Sequence, residues 1–225
     1  MIRKLYHGSV QMVSRPLYGQ GKRYNDYGQG FYCTESSELA AEWAVDENRD
    51  GFINRYELEC DGLNILDLNA DEYGTLHWLA ILLENRTFDM PSVLAAEAKE
   101  YLLTHFTVDY RKRDAIIGYR ADDSYFSFAQ DFLNGTISYR QLNNALRLGN
   151  LGQQFVLKSP TSFDRIAFCG AEIVDSRIWY HRKRLRDRSA RREYFDTERS
   201  RRKKGDIYVM QIMDEGMNAD DPRLR

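Results

Sequence analysis

The chain has few cysteines and no long apolar run. Cys33, Cys60 and Cys169 stand far apart, with no Cys-x-x-Cys pair. So sparse and odd a set argues against a disulfide framework or a structural zinc site, and reads as reduced thiols in a cytoplasmic protein. No stretch of about 18 apolar residues occurs, so neither a membrane span nor a membrane partner is expected. Behind the first five residues, Met1 to Leu5, there is no apolar segment of the signal-peptide kind, and no signal peptide is expected. No internal repeat is visible. Charge of one sign is lacking too: 32 Lys and Arg against 34 Asp and Glu leave −2, which gives the whole surface no pull toward a polyanion. What the 225 residues do have is 43% hydrophobic content, enough for one buried core, or one domain with an appendage.

The order of elements is mixed. "KLYHGS" reads as a strand running into a loop, followed by a polar, Gly-rich stretch and a short strand at "GFYCT". Ser36 or Ser37 caps a helix whose Leu39, Ala40, Trp43 and Ala44 share a face. "INRYELECDGLNILDL" holds two strand-like runs around Asp61 and Gly62, a hairpin signal. Two strong helices, a buried strand ending at Gly118 and two short helices follow. "QQFVLKSP" and "DRIAFCGAEIV" are strands, a basic helix runs from Asp175 to about Lys204, and "GDIYVMQIMD" reads as one more strand before a loose end. Strands, then helices, then strands predict an α+β fold with a mostly antiparallel or split sheet, not a βαβ array.

One segment imitates a metal site. Asp46 to Glu57 matches a calcium loop, with oxygen ligands at Asp46, Asn48 and Asp50, Gly51 at the turn and Glu57 at position twelve. Such a loop also needs an exiting helix. The β-patterned residues that follow, with Asp61 and Gly62 close behind, would not stay helical. The segment reads as a solvated helix-to-strand loop, and no metal is assigned.

The chemistry-bearing stretches are "YHGS", Tyr6 to Ser9, and "YGQGFYCT", Tyr27 to Thr34. A His beside a Gly at a strand end, then an aromatic in a Gly-flanked strand, resembles the ADP-ribosyltransferase fold of the diphtheria-toxin and poly(ADP-ribose) polymerase type. More narrowly, the string from "LYHGS" through "YNDYGQGFYCTESSELAAEWA" to "IIGYRADDSYF" is similar to DUF3990, a bacterial family regarded as ADP-ribosyltransferases. The resemblance covers most of residues 1 to about 170 and takes in the basic helix. It implies a split antiparallel β-sheet core with inserted helices and a C-terminal basic helix. A domain over 1–175 and a basic helical extension over 176–225 are expected.

The resemblance also implies roles. NAD is the substrate. His7 hydrogen-bonds the adenosine ribose as an orienter, and the backbone at Gly8 holds the nicotinamide amide. Ser9 supports the ribose or the amide. Tyr32 stacks on the nicotinamide, and Trp43, eleven residues on, takes the place of the second flanking aromatic. An indole suits a cationic pyridinium. The plain alternatives are a strand-end His, core aromatics at Tyr32 and Trp43, and glycines that serve only turns.

The family's third motif is a Glu at the start of a late strand, and here "QQFVLKS" puts Gln154 in its place. An amide can position a hydroxyl, but it lacks the charge that opposes a developing cation. Asp122 or Asp123 is the candidate substitute acid, though either also suits a helix N-cap. The expected activity is NAD-dependent transfer of a single ADP-ribose. The alternative is a catalytically inactive NAD- or nucleotide-binding module of the same fold. Tyr180 to Lys204 is dense in Arg and Lys, and Tyr180, Tyr194 and Phe195 could stack on bases, which keeps a nucleic-acid acceptor open beside a protein one. The plainer reading is a solvated helix with Leu185, Ala190 and Tyr194 as its packing stripe. A toxin or defence-effector role with a cognate inhibitor or antitoxin rests on family analogy alone.

Overall fold

The computed structural model describes residues 1–121, 123–148 and 152–224, and of residues 123 and 124 the backbone alone. The chain divides into two compact units, each assembled from three stretches: Met1–Asp67, Asp109–Arg120 and Leu151–Arg186 in the first, and Leu68–Val108, Ala121–Asn150 and Asp187–Arg225 in the second. Residue 175 falls inside the first unit.

The first unit carries the sheets. In chain order its elements are β1 (Ile2–Ser9), β2 (Phe31–Cys33), α1 (Ser37–Ala44), β3 (Gly51–Glu59), β4 (Ile65–Asp67), β5 (Ala115–Tyr119), β6 (Gln153–Leu157), α6 (Pro160–Asp164), β7 (Ile166–Val174) and the start of α7 (Ser176–Glu193). They form one sheet of order β1-β3-β7 and another of order β2-β6-β5-β4. All pairs are antiparallel except β4 with β5. Among the described residues the sheets meet at one bridge, where Tyr6 and Thr34 exchange backbone hydrogen bonds of 2.8 and 2.9 Å. Leu5, Cys33, Leu58, Ala115, Phe155 and Leu157 pack together on one side of this seam, and the three leucines and Phe155 each add about 1.5–3 kcal/mol by leaving water. On the other side lies α1. Ser36 caps it by accepting from the Leu39 N–H, and its Ala40, Ala41 and Ala44 pack with Ile53, Val174 and Tyr6.

One expectation about this unit is corrected. Asp61 and Gly62 do turn the chain, but not into a hairpin: β3 pairs with β1 and β7, whereas β4 joins the other sheet beside β5. The acidic segment after α1 leads from that helix into β3. Asp46 and Arg49 exchange backbone bonds, the Asp50 carboxylate accepts from the Ser176 N–H at 2.8 Å where α7 starts, and Gly51 already opens β3.

The second unit is helical, with α2 (Thr75–Asn85), α3 (Val93–His105), α4 (Asp123–Leu133), α5 (Tyr139–Ala145) and α8 (Val209–Asp214). Trp78, Phe106, Phe128, Phe132 and Tyr194 are fully buried there. Two further corrections fall here. Val209–Asp214 is a helix, with Val209 and Ile212 buried one turn apart, where a strand is expected. The basic helix ends at Glu193 and passes into a π turn at Tyr194–Glu198. Tyr194 is core, its hydroxyl donating to Asp131 at 2.6 Å and its ring 4.1 Å from Phe128, so it has no face to offer a base. Among the described residues no helix is long and apolar enough to cross a membrane.

Candidate functional site

The seam between the sheets opens immediately after its one bridge, and the cause is local. Along an antiparallel strand the backbone N–H and C=O of alternate residues point to the same side. Tyr6 uses both groups toward Thr34, so Gly8 presents its own pair to that side, toward Tyr32. The Tyr32 carbonyl is already taken: His7 Nδ1 lies 2.7 Å from it. A carbonyl only accepts, so Nδ1 carries the proton and Nε2 is left as the acceptor. Burial pushes the imidazole pKa below 6.5, partly offset by that bond, which keeps the ring neutral. The imidazole thus stands where a Gly8 N–H bond would otherwise close the ladder. Among the described residues neither polar group of the Gly8 peptide has a loop or side-chain partner.

Glycine at position 8 has a second cause. A Cβ there would lie 1.9 Å from the Ala40 carbonyl oxygen and 2.8 Å from the Ala44 nitrogen. The backbone of α1 therefore rests directly on Gly8, and Trp43 belongs to the turn that touches it. Asn54, wholly buried, secures the end of β1 by donating to the His7 carbonyl at 3.1 Å and the Ser9 hydroxyl at 2.9 Å, and by accepting from the Val13 N–H at 2.8 Å. Ser9 itself donates to the Gln11 carbonyl. Sequence reasoning passes over Asn54. Its signal is a short amide among the apolar positions of β3.

Register places Tyr32, Val156 and Gln154 on one face of the second sheet. Tyr32 lies opposite Val156, and Gln154 is two residues along β6. Tyr6 and Gly8 share that face with α1, whereas the His7 ring packs 4.4 Å from Phe31 on the other. The loop before β2 folds over the Tyr32 face. The Tyr32 hydroxyl donates to the Gly28 carbonyl at 2.6 Å and accepts from the Tyr27 N–H at 3.0 Å, and the Tyr27 hydroxyl donates to the Tyr119 carbonyl at 2.7 Å. Lys158 donates to the carbonyls of Tyr27 and Gln29 at 2.5 and 2.7 Å, and burial brings its ammonium pKa down to about 8. Gly30 lets the loop lie flat, since a Cβ there would meet the Leu157 oxygen and Val156 Cγ1 at 2.7 Å.

Under this loop Gln154 meets an acid. Its Nε2 donates to Asp26 Oδ2 at 3.2 Å. Both side chains are buried, Asp26 only 2% and Gln154 6% exposed. With Nε2 donating to Asp26, the other amide atom, Oε1, points away from it. Oε1 is buried with no hydrogen-bond partner among the described residues. Gln154 also lines a cavity of about 340 Å³ with Thr34, Ser36, Leu39 and Phe155. The substitute acids expected from the sequence, Asp122 and the Asp123 side chain, lie outside the described residues.

Trp43 is half-buried, and its indole N–H is buried without a partner among the described residues. The Arg120 guanidinium sits 4.8 Å from its ring. Lys183 on α7 shares this neighbourhood: its pKa is lowered first by burial and then by Arg120. Arg186, one turn on, is tied to Glu42 by bonds of 2.9 and 2.5 Å. The expected site residues thus come together as three local groups: His7, Gly8 and Tyr32 at the seam, Gln154 with Asp26, and Trp43 with Arg120. Tyr32 and Trp43 make no direct ring contact among the described residues. A free peptide edge at Gly8 can bond a planar amide, and the cations beside Trp43 can attract an anion. Among the described residues no group of three or more His, Cys, Asp or Glu side chains could hold a metal ion.

A family model described as a protein of unknown function, DUF3990, matches residues 3–168, and the chain belongs to that family. No curated protein and no solved structure matches it.

Proposed function

We propose that this member of the DUF3990 family is an NAD-dependent mono-ADP-ribosyltransferase with an ADP-ribosyltransferase-like fold. The observation that carries the reading is the Gly8 peptide at the open seam, which has no loop or side-chain hydrogen-bond partner among the described residues. A primary carboxamide has one acceptor and two donors side by side. A β-edge peptide offers the complementary N–H and C=O, so nicotinamide completes the ladder that His7 interrupts. Trp43, held beside Gly8 by α1, supplies a face for the pyridinium ring. His7, proton on Nδ1, accepts a ribose hydroxyl through Nε2. Arg120 and Lys183, the cations near Trp43, would attract the diphosphate of the dinucleotide. Tyr32 has its hydroxyl turned to the 27–28 turn, so its contribution is the ring.

In the reaction the bond between ribose C1′ and the nicotinamide nitrogen breaks. The electron pair goes to the ring nitrogen, and an acceptor nucleophile bonds C1′ and gives up its proton. Groups that oppose the positive charge growing on the ribose lower the barrier. Acceptors of protein or nucleic-acid type, a cytoplasmic effector role and a cognate inhibitor are extensions of the same reading. The alternative reading, an NAD-binding module without turnover, has Gln154 in its favour.

Incubation of the purified protein with NAD separates the two. Release of nicotinamide that is lost in His7→Ala supports the transferase. Calorimetric binding of NAD without nicotinamide release supports the module. Absence of both refutes the NAD site.

A further inference from the structure

Resting on the NAD reading above, we infer that Asp26, on the loop before β2, is the positioning residue that gives Gln154 the function of the missing acid. The two sit on opposite sides of 128 residues of chain, yet Asp26 Oδ2 accepts from Gln154 Nε2 at 3.2 Å and both are buried. Buried polar groups need hydrogen bonds, and this bond between two buried side chains has a chemical consequence. It orders the amide so that Oε1, which has no other partner among the described residues, becomes the acceptor for the ribose 2′-hydroxyl. The carboxylate also stands one side chain behind that acceptor. In a water-poor setting its negative charge opposes the positive charge on the ribose as nicotinamide leaves. An amide and a carboxylate in series thus do what a single Glu would do alone. The loop that carries Asp26 is pinned in the residues that follow it. Lys158 ties down the carbonyls of Tyr27 and Gln29, and the Tyr32 hydroxyl bridges Tyr27 and Gly28.

With water as the acceptor the balance is simple: NAD and water give nicotinamide, ADP-ribose and a proton. The test uses the full chain and reads nicotinamide release from NAD in wild type, Asp26→Asn, Gln154→Glu and the Asp26→Asn/Gln154→Glu pair, with melting temperatures alongside. Asp26→Asn is expected to lower kcat tenfold or more while KM for NAD changes little. The paired variant moves the carboxylate to position 154 and is expected to recover most of kcat, which a merely structural Asp26 does not predict. Gln154→Glu alone sets two carboxylates in contact, so one holds its proton to higher pH. Its kcat profile then gains an inflection that the pair lacks. Should Asp26→Asn fail to fold, this inflection decides the matter by itself. Full kcat in Asp26→Asn, or no inflection in Gln154→Glu, overturns the inference alone, because the wild type still turns NAD over. A wild type that releases no nicotinamide overturns the NAD transferase reading, and the inference with it.

Discussion

Replacing Gly8 by Ala tests the claim that α1 rests on bare backbone at the mouth of the seam. The added Cβ would lie 1.9 Å from the Ala40 oxygen, 2.8 Å from the Ala44 nitrogen and 2.9 Å from the Ala40 carbonyl carbon. All three are backbone atoms of a helix, so no rotamer change relieves the clash. Even a tight approach requires α1 to withdraw about 1 Å, against a close-packed interior that resists it. Overpacking of this kind costs about 1–3 kcal/mol, and the rigid neighbour favours the upper end. Alanine recovers about 0.5–1 kcal/mol in a strand through its smaller backbone entropy loss. The net expectation is a loss of about 2 kcal/mol, or about 4–8 °C in melting temperature for a chain of this length. Trp43 moves with α1, so its fluorescence should change in the folded state. Gly205→Ala is the control: its Cβ meets nothing within 4 Å and φ is +88°, leaving backbone strain of about 1 kcal/mol as its only cost. Thermal and urea melts followed at Trp43 read both variants. A Gly8→Ala protein within about 0.5 kcal/mol of wild type, with unchanged Trp43 emission, would refute the packing argument.

Three further outcomes are expected. His7, whose pKa burial lowers from 6.5, binds a proton less readily folded than unfolded, so its contribution is complete above 6.5 and is lost as pH falls from there toward the lowered folded value; His7→Gln should flatten that acid limb in a stability-versus-pH series, and an unaltered limb would show that another group causes it. Glu42 and Arg186, with side chains only 9% and 17% exposed, form a pair whose rupture in Glu42→Ala should cost about 3 kcal/mol in a urea titration, whereas a loss under about 1 kcal/mol would mean solvent screens the pair after all. Tyr32→Phe strands the Tyr27 N–H and the Gly28 carbonyl at a cost of about 2 kcal/mol, and hydrogen exchange at the Tyr27 amide should accelerate; equal exchange would place the loop's anchor elsewhere.

The legible parts of the chain are those decided within a few residues. Ser36 caps α1 because a hydroxyl before an apolar helix face has few other uses, and alternation marks β1 and β3. The misread parts depend on distant partners. Asp61 and Gly62 turn the chain as expected, yet a turn does not reveal which sheet the next strand joins, and β4 joins β5 some 50 residues on. "IYVMQIMD" holds β-forming residues, but burial of Val209 and Ile212 at helical spacing overrides that preference. The seam motifs of His7, Gly8 and Tyr32 are visible as short strings. Asp26 is not, because nothing local links an acid in a Gly-rich loop to an amide at the start of β6.

The most direct measurement is the Gly8 amide itself, followed by ¹⁵N NMR of labelled protein during titration with nicotinamide and with NAD. The account predicts a saturable downfield shift of the Gly8 N–H, matched by the Trp43 indole signal and absent in His7→Ala. A Gly8 resonance that stays in place while NAD is in excess, or a shift confined to residues of the helical unit, would contradict it.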